Sequence, residues 1–366
     1  MTQPMLVFAH IPKTAGTTLT GVIEREYGVA ACVHVKNWHD HRDESLEAIR
    51  GAAANPFTRA VLGHLPFAAR PAFPPTTRWL TVLRDPVERA LSDYFYGKRV
   101  GAVPLAEYLA RTNNLQTRML SGIDPTESAP AEELLEGAKR NLRDPTTTVA
   151  LAERFDESLA LCTLRFGWRG VLYRSVRVND QRPTLEQIGE LDETAILREN
   201  EVDLELYRYA ELLFAAAVAE SGAAIAFELR ALELAEERYG ARRSPSTGKE
   251  GYVGQLPLLD DPDGRALGSD ASALEARVEQ IGLASALGSE RIRTSRIAQE
   301  LATANLRVER VEGERDGLLG KNAALLENKA RLKERIARIN HRRNRDVANT
   351  EPPDSGPTIP EAARPT

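Results

Sequence analysis

The sequence is poor in the residues that staple small folds or bind metals. It has only two cysteines, Cys32 and Cys162, in 366 residues. Two are too few for a disulfide framework, and neither stands in a zinc-ligand spacing. One long-range disulfide stays open; two buried free thiols are the better reading. Long hydrophobic runs are scarce as well. The opening MTQPMLVFAHIPK has no basic stretch, and its apolar run, Met5 to Ala9, is too short for a secretory signal or a membrane span. No later stretch is expected to reach the ~20 apolar residues of a spanning helix. These absences predict a soluble, cytoplasmic protein. A basic surplus is also missing: 48 Lys and Arg face 53 Asp and Glu, for a net charge of −5. Nucleic-acid binders concentrate basic charge, so no such partner is expected. Local basic clusters remain available for an anionic nucleotide or glycan.

What is present is an alternation of β and α signals. Met5 to Ala9 suits a buried strand of a parallel sheet. A Gly/Thr-rich turn follows, and Leu19 to Tyr27 has helical spacing. The plan repeats with a strand at Arg78–Leu83, a turn at Arg84-Asp85-Pro86 and a helix from Val87 to Tyr96. Val61-Leu62-Gly63 and Thr147–Leu151 read as further strands. Such alternation predicts an α/β fold, a parallel sheet with helices on both faces. Residues 185–239 are helical, with Leu204, Tyr207, Ala210, Leu213 and Phe214 on one face.

Composition divides the rest. Residues 1–240 read as the α/β domain, 241–270 as a Gly/Pro/Ser/Asp linker and 346–366 as a disordered Pro-rich tail. Residues 271–345 form a candidate coiled coil. Ile297, Leu301, Leu325, Leu332, Ile336 and Ile339 keep three-four spacing, and Arg315, Asn322 and Lys329 interrupt the seam. Such a helix would make the chain a homo-oligomer. A solvated single helix or a partly disordered tail is the alternative.

The first βα turn carries the chemistry. Lys13-Thr14-Ala15-Gly16-Thr17-Thr18 joins a strand to a helix. There the free N–H groups of the first turn and the helix dipole make an anion site. Gly16 lets the backbone approach phosphate oxygens, Thr14, Thr17 and Thr18 offer hydroxyls, and Lys13 brings a full charge. An ordinary capped turn is the bland reading. The order is not that of a nucleoside-triphosphate loop, which needs Gly-Lys-Ser/Thr and an acidic magnesium partner. A lysine before the glycine suits a 5′-phosphate, with no metal expected. Arg84, closing a strand, can grip another phosphate through its planar fork. Asp85 before Pro86 is a helix cap.

The string Ile11-Pro12-Lys13-Thr14-Ala15-Gly16-Thr17-Thr18 resembles the 5′-phosphosulfate loop of the sulfotransferase superfamily, in its heparan/uronyl 2-O-sulfotransferase-like branch. Four later strings resemble that branch in order: Leu83–Tyr96, Asn113–Gly122, Val149–Leu159 and Asn200–Tyr207. Together they span residues 5–220. The resemblance implies a P-loop-kinase-like fold and 3′-phosphoadenosine 5′-phosphosulfate as donor. It implies that Lys13 to Thr18 hold the 5′-phosphosulfate, that Arg84 and Ser92 hold the 3′-phosphate, and that a carbohydrate hydroxyl is the acceptor. Gly63-His64 matches the pair that supplies the general base, and an imidazole suits that task near neutral pH. Position 62 is Leu where the branch often has a second His.

Other readings stay open. His34, His39 and His41 lie near Trp38 and Asp40, as a metal set or as a substrate-facing or solvated loop. His10 could support the loop from behind. Lys98, Arg99, Arg111 and Arg118 suit an acidic glycan or plain solvation, and Arg182-Pro183 could close over a nucleotide. A kinase, or a non-catalytic assembly protein working through its coiled coil, is the rival function.

Overall fold

A computed structural model describes residues 4–97, 104–170, 172–173, 190–239 and 271–348. The expected linker 241–270, Lys98, Arg99, Arg182-Pro183 and the residues after 348 lie outside the described residues. Two units result, Met1–Arg296 and Ile297–Thr366.

The first unit is an α/β sandwich. Its strands are β1 (Leu6–Ala9), β2 (Cys32–His34), β3 (Ala60–Gly63), β4 (Arg78–Leu83) and β5 (Thr147–Leu151). They form one sheet in the order β2-β3-β1-β4-β5. Every pairing is parallel, with Ala9 beside Gly63 on one side and Thr81 on the other. The helices are α1 (Gly16–Tyr27), α2 (Arg42–Ala54), α3 (Pro86–Gly97), α4 (Leu105–Thr112), α5 (Leu115–Leu120), α6 (Ala131–Arg143), α7 (Phe155–Phe166), α8 (Glu190–Glu199), α9 (Glu201–Tyr239) and α10 (Ala271–Ala348). The sheet is parallel as expected, with β4 and β5 at the expected bounds, and β2 is a strand the sequence reading did not foresee.

The strands are apolar throughout because both faces are covered. Period-two alternation still sorts them. Val7, Ala9, Val61, Trp79 and Leu83 join one core with Ile49, Leu120, Leu142, Leu206 and Phe214, from α2, α5, α6 and α9. Leu6, Phe8, Leu62, Leu80 and Val82 join the opposite core with Leu19, Val22, Ile23 and Leu159, from α1 and α7. Both cysteines are free, Cys162 buried and Cys32 half-buried. Burial pushes the Cys32 thiol up to about 12, which keeps it protonated.

By length and composition α9 is apolar enough to cross a membrane. Sequence reading expected no stretch of that kind; the Ala-rich middle of α9 passes on composition. Its first turns pack in the core, where Leu206, Ala210 and Phe214 are buried and Asp203 is held by α5.

The first part of α10 belongs to the first unit. Val278 and Ile281 bury against Leu172, Ala231, Leu232 and Ala235, and Ala284 joins the core beside α1. Arg277 reinforces this with a 2.7 Å bond to Glu228. In the second unit, Ile297, Leu301, Leu332, Ile336 and Ile339 are 55–61% exposed. Two truncations separate the roles. Ending the chain after Arg296 is expected to leave the domain's melting temperature unchanged. Ending it after Asp270 uncovers the Leu172–Leu232 cluster and is expected to lower it by about 10 °C or more. Scanning calorimetry reads both, and equal melting of the two would refute this role for residues 271–296.

Candidate functional site

β1 lies mid-sheet. The chain leaves it toward β2 on one side, while β4 and β5 lie on the other. That reversal falls at the carboxyl edge of β1, the place where open α/β sheets bind ligands. The residues following β1, β3, β4 and β5 all border this edge.

The loop after β1 is built against backbone preference. Lys13 (φ 70°) and Ala15 (φ 64°) adopt the left-handed conformation, which costs a side-chain-bearing residue on the order of 1 kcal/mol. Ala15 is also the N-cap of α1, and no side chain caps this helix. An αL residue followed by a helical one turns successive N–H groups inward as an anion nest. The first amides of α1 thus stand at this edge with the helix dipole behind them, while the Thr18 N–H is taken by the Ala15 carbonyl at 3.0 Å. Thr17 is exposed and Thr18 half-buried. Thr14 departs from expectation: it is buried, and its hydroxyl braces the loop by donating to the Ile11 carbonyl at 2.9 Å.

Gly16 has a reason the sequence did not show. A Cβ there would sit 1.8 Å from Nε2 of His10, so the His10 ring fills the space a side chain would need. His10 stacks on Phe8 at 5.4 Å and lies 4.5 Å from the His64 ring. Burial, then the neighbouring His64 and Lys13, lower its pKa to about 3. His10 is therefore neutral at neutral pH and supports Gly16 from behind.

His64 follows β3. Its Nδ1 lies 2.8 Å from the carbonyl oxygen of His10. A carbonyl only accepts, so this contact sets Nδ1 as the protonated nitrogen and leaves the lone pair on Nε2. Gly63 is required just before it: a Cβ there would lie 2.5 Å from Cγ2 and 2.7 Å from the oxygen of Val35. The β2–α2 loop closes over this point, with Trp38 N–H donating to the His64 carbonyl at 3.4 Å.

Arg84 follows β4. It donates through Nη1 to the Lys13 carbonyl at 3.2 Å, which joins it to the cradle. Nη2 lies 3.4 Å from Glu88, and Nε lies 4.0 Å from Glu153. Burial raises the Glu153 carboxyl, while the Asp85 amide and the Tyr207 hydroxyl pull it back. Asp85 caps α3 as expected, accepting the Glu88 N–H at 2.9 Å. Glu88, Ser92 and Tyr96 fall on one face of α3 by four-residue spacing. Glu88 meets Arg84 at one end, and the Lys13 ammonium stands 3.8 Å over the Tyr96 ring at the other. Ser92 lies between them on the same face of α3.

No protein-family model matches the chain. No curated protein matches it either. Among solved structures, the mouse sulfotransferase SULT7A1 complexed with PAP aligns with a TM-score of 0.31 and 15% sequence identity. The alignment covers 56% of this chain and 66% of that one, just under two thirds of its length.

The loop Lys13 to Thr18, His64 and Arg84 follow strands β1, β3 and β4 at the one carboxyl edge of the sheet, and Ser92 stands on α3, the helix after β4. The histidines of the β2–α2 region do not converge. His34 pairs with Glu24, His39 with Asp40 and His41 with Glu44. Among the described residues no three His, Cys, Asp or Glu come together as a metal set. Arg111 pairs with Glu107, and Arg118 donates to the Pro125 carbonyl. Sequence reading missed Tyr96, Glu88, Glu153 and Gln116 as members of the site. For Tyr96 and Glu88 a signal existed, the four-residue spacing from Ser92.

Proposed function

We propose that this chain is a sulfotransferase that moves a sulfuryl group from 3′-phosphoadenosine 5′-phosphosulfate to a hydroxyl, with carbohydrate as the acceptor class and the cytoplasm as the place of action. One observation carries the reading. The uncapped terminus of α1 and the Lys13 loop stand beside Arg84, tied by the bond from Arg84 to the Lys13 carbonyl. A donor with phosphates at both ends fits such a set: an amide nest and lysine for one, an arginine fork and serine hydroxyl for the other. The carbohydrate acceptor rests on the sequence resemblance.

In this mechanism Nε2 of His64 accepts the proton of the acceptor hydroxyl. The acceptor oxygen bonds to sulfur as the bond from sulfur to the 5′-phosphate oxygen breaks. The electron pair leaves on that oxygen, and 3′-phosphoadenosine 5′-phosphate is released. Lys13 and the α1 amides offset the charge growing on the leaving phosphate. The protein mainly positions and neutralises, as in phosphoryl transfer.

Calorimetry with 3′-phosphoadenosine 5′-phosphate in EDTA tests the reading. Binding with a Kd on the order of micromolar is expected. Absence of binding would leave the assembly-protein reading; magnesium-dependent ATP binding instead would favour a kinase. Labelled donor offered to a glycan panel then identifies the acceptor.

We also propose that the apolar stripe at Ile297, Leu301, Leu332, Ile336 and Ile339 pairs with a second copy of the chain. Sedimentation should show an oligomer for the whole chain and a monomer for the chain ending at Arg296. A monomeric whole chain would overturn the pairing.

A further inference from the structure

Arg84 is held in an unusual way. It stands one residue past the end of β4, where the β5 side of the ladder closes with Ala152 N–H donating to the Leu83 carbonyl. The side-chain amide of Gln116 takes the place of a strand. Its Oε1 accepts the Arg84 N–H at 3.0 Å, and its Nε2 donates to the Arg84 carbonyl at 2.8 Å. One buried amide thus satisfies both backbone groups of one arginine.

Gln116 is pinned in turn. Asp203 of α9 accepts the Gln116 N–H at 3.0 Å, the Thr117 N–H at 2.7 Å and the Thr117 hydroxyl at 2.7 Å. The Asp203 N–H donates back to Asn114 Oδ1 at 3.0 Å. Gln116, Thr117 and Asp203 are all 0% exposed. A chain of hydrogen bonds therefore runs from the core of α9 to the backbone of the residue whose guanidinium meets the Lys13 loop. Capping of α5 explains Asp203 and the two amides. It does not explain why the Gln116 side chain leaves the helix to hold Arg84.

We infer that Gln116, fixed by Asp203, is a positioning residue that aims Arg84 at the 3′-phosphate of the donor and so sets the preference for a nucleotide carrying that phosphate. The inference rests on the sulfotransferase reading and adds a determinant of donor specificity to it. Gln116 touches no ligand atom in this scheme; it acts through Arg84.

The test compares the affinity of the full chain for 3′-phosphoadenosine 5′-phosphate and for adenosine 5′-phosphate by calorimetry. Wild type should prefer the first. Gln116→Met, of similar length and without the amide, should lose on the order of 10- to 100-fold for the first ligand and about threefold or less for the second. Gln116→Glu should regain the preference as pH falls from about 8 to about 6, measured against wild type, because a protonated carboxyl can remake both bonds. A wild type with no preference between the ligands would refute the 3′-phosphate site itself, and with it the donor reading. A wild-type preference that survives in folded Gln116→Met, or equal losses for both ligands, would overturn the positioning role alone. Should Gln116→Met not fold, a pH-independent preference in Gln116→Glu overturns it equally.

Discussion

Replacing His64 with alanine is expected to cut turnover by about 10²- to 10⁴-fold, the usual contribution of a positioned general base. Affinity for 3′-phosphoadenosine 5′-phosphate should stay within about threefold, because the donor cradle is built by other residues. The geometry supports the split. His64 sits at the end of β3, and its ring is oriented by the carbonyl of His10 at 2.8 Å. That contact leaves Nε2 as the free acceptor and gives the imidazole the orienting partner that a catalytic base needs. The variant removes a half-buried ring and should fold. Steady-state rates with labelled donor, alongside nucleotide binding, read both quantities. A turnover within tenfold of wild type would remove His64 from the mechanism. Partial recovery with added imidazole is expected, since the half-buried ring leaves a space open to solvent.

Lys13→Ala is expected to lower turnover by about 10²- to 10³-fold, the cost of losing a preorganised charge at a leaving group. Here the loss should appear in donor affinity too, because Lys13 meets the ground-state phosphate as well as the departing one. Stability should change little. Alanine tolerates the left-handed conformation at φ 70° no worse than lysine does, and the neighbouring Ala15 already adopts it at φ 64°. What the variant removes is the ammonium over the Tyr96 ring, a contact of about 0.5–1 kcal/mol at an exposed site. Unchanged melting with lost turnover and weaker binding is the expected pattern. Wild-type turnover would assign the cradle's charge to the α1 amides and Arg84 alone.

Local signals were sufficient where the chain repeats one plan. Strand, Gly/Thr turn and helix could be read at Leu6–Tyr27, and strand, Asp-Pro cap and helix at Arg78–Gly97, because apolar runs and helix caps are local features. β2 carried too little pattern, being three residues long and partly exposed. The inward turn of Thr14 was equally invisible, since it depends on where the loop folds back; support of the loop by His10 was expected, but not that its ring fills the space beside Gly16. The Glu153 partner of Arg84 comes from the residues after β5, which only the sheet brings beside the end of β4.

The sequence by itself determined the parallel α/β plan, the Gly/Thr-rich turn with its one lysine before α1 and the places of Lys13, Arg84, Ser92 and His64 at strand ends or the following helix. These follow from residue order, because a parallel sheet puts every strand's carboxyl end on one edge. Only the tertiary structure decided how those residues are held. The tautomer of His64 depends on a carbonyl 54 residues away, and the aim of Arg84 on an amide 32 residues away that is itself pinned by Asp203. Hydrogen bonds over such separations leave no periodicity in the chain, which is why they had to be seen.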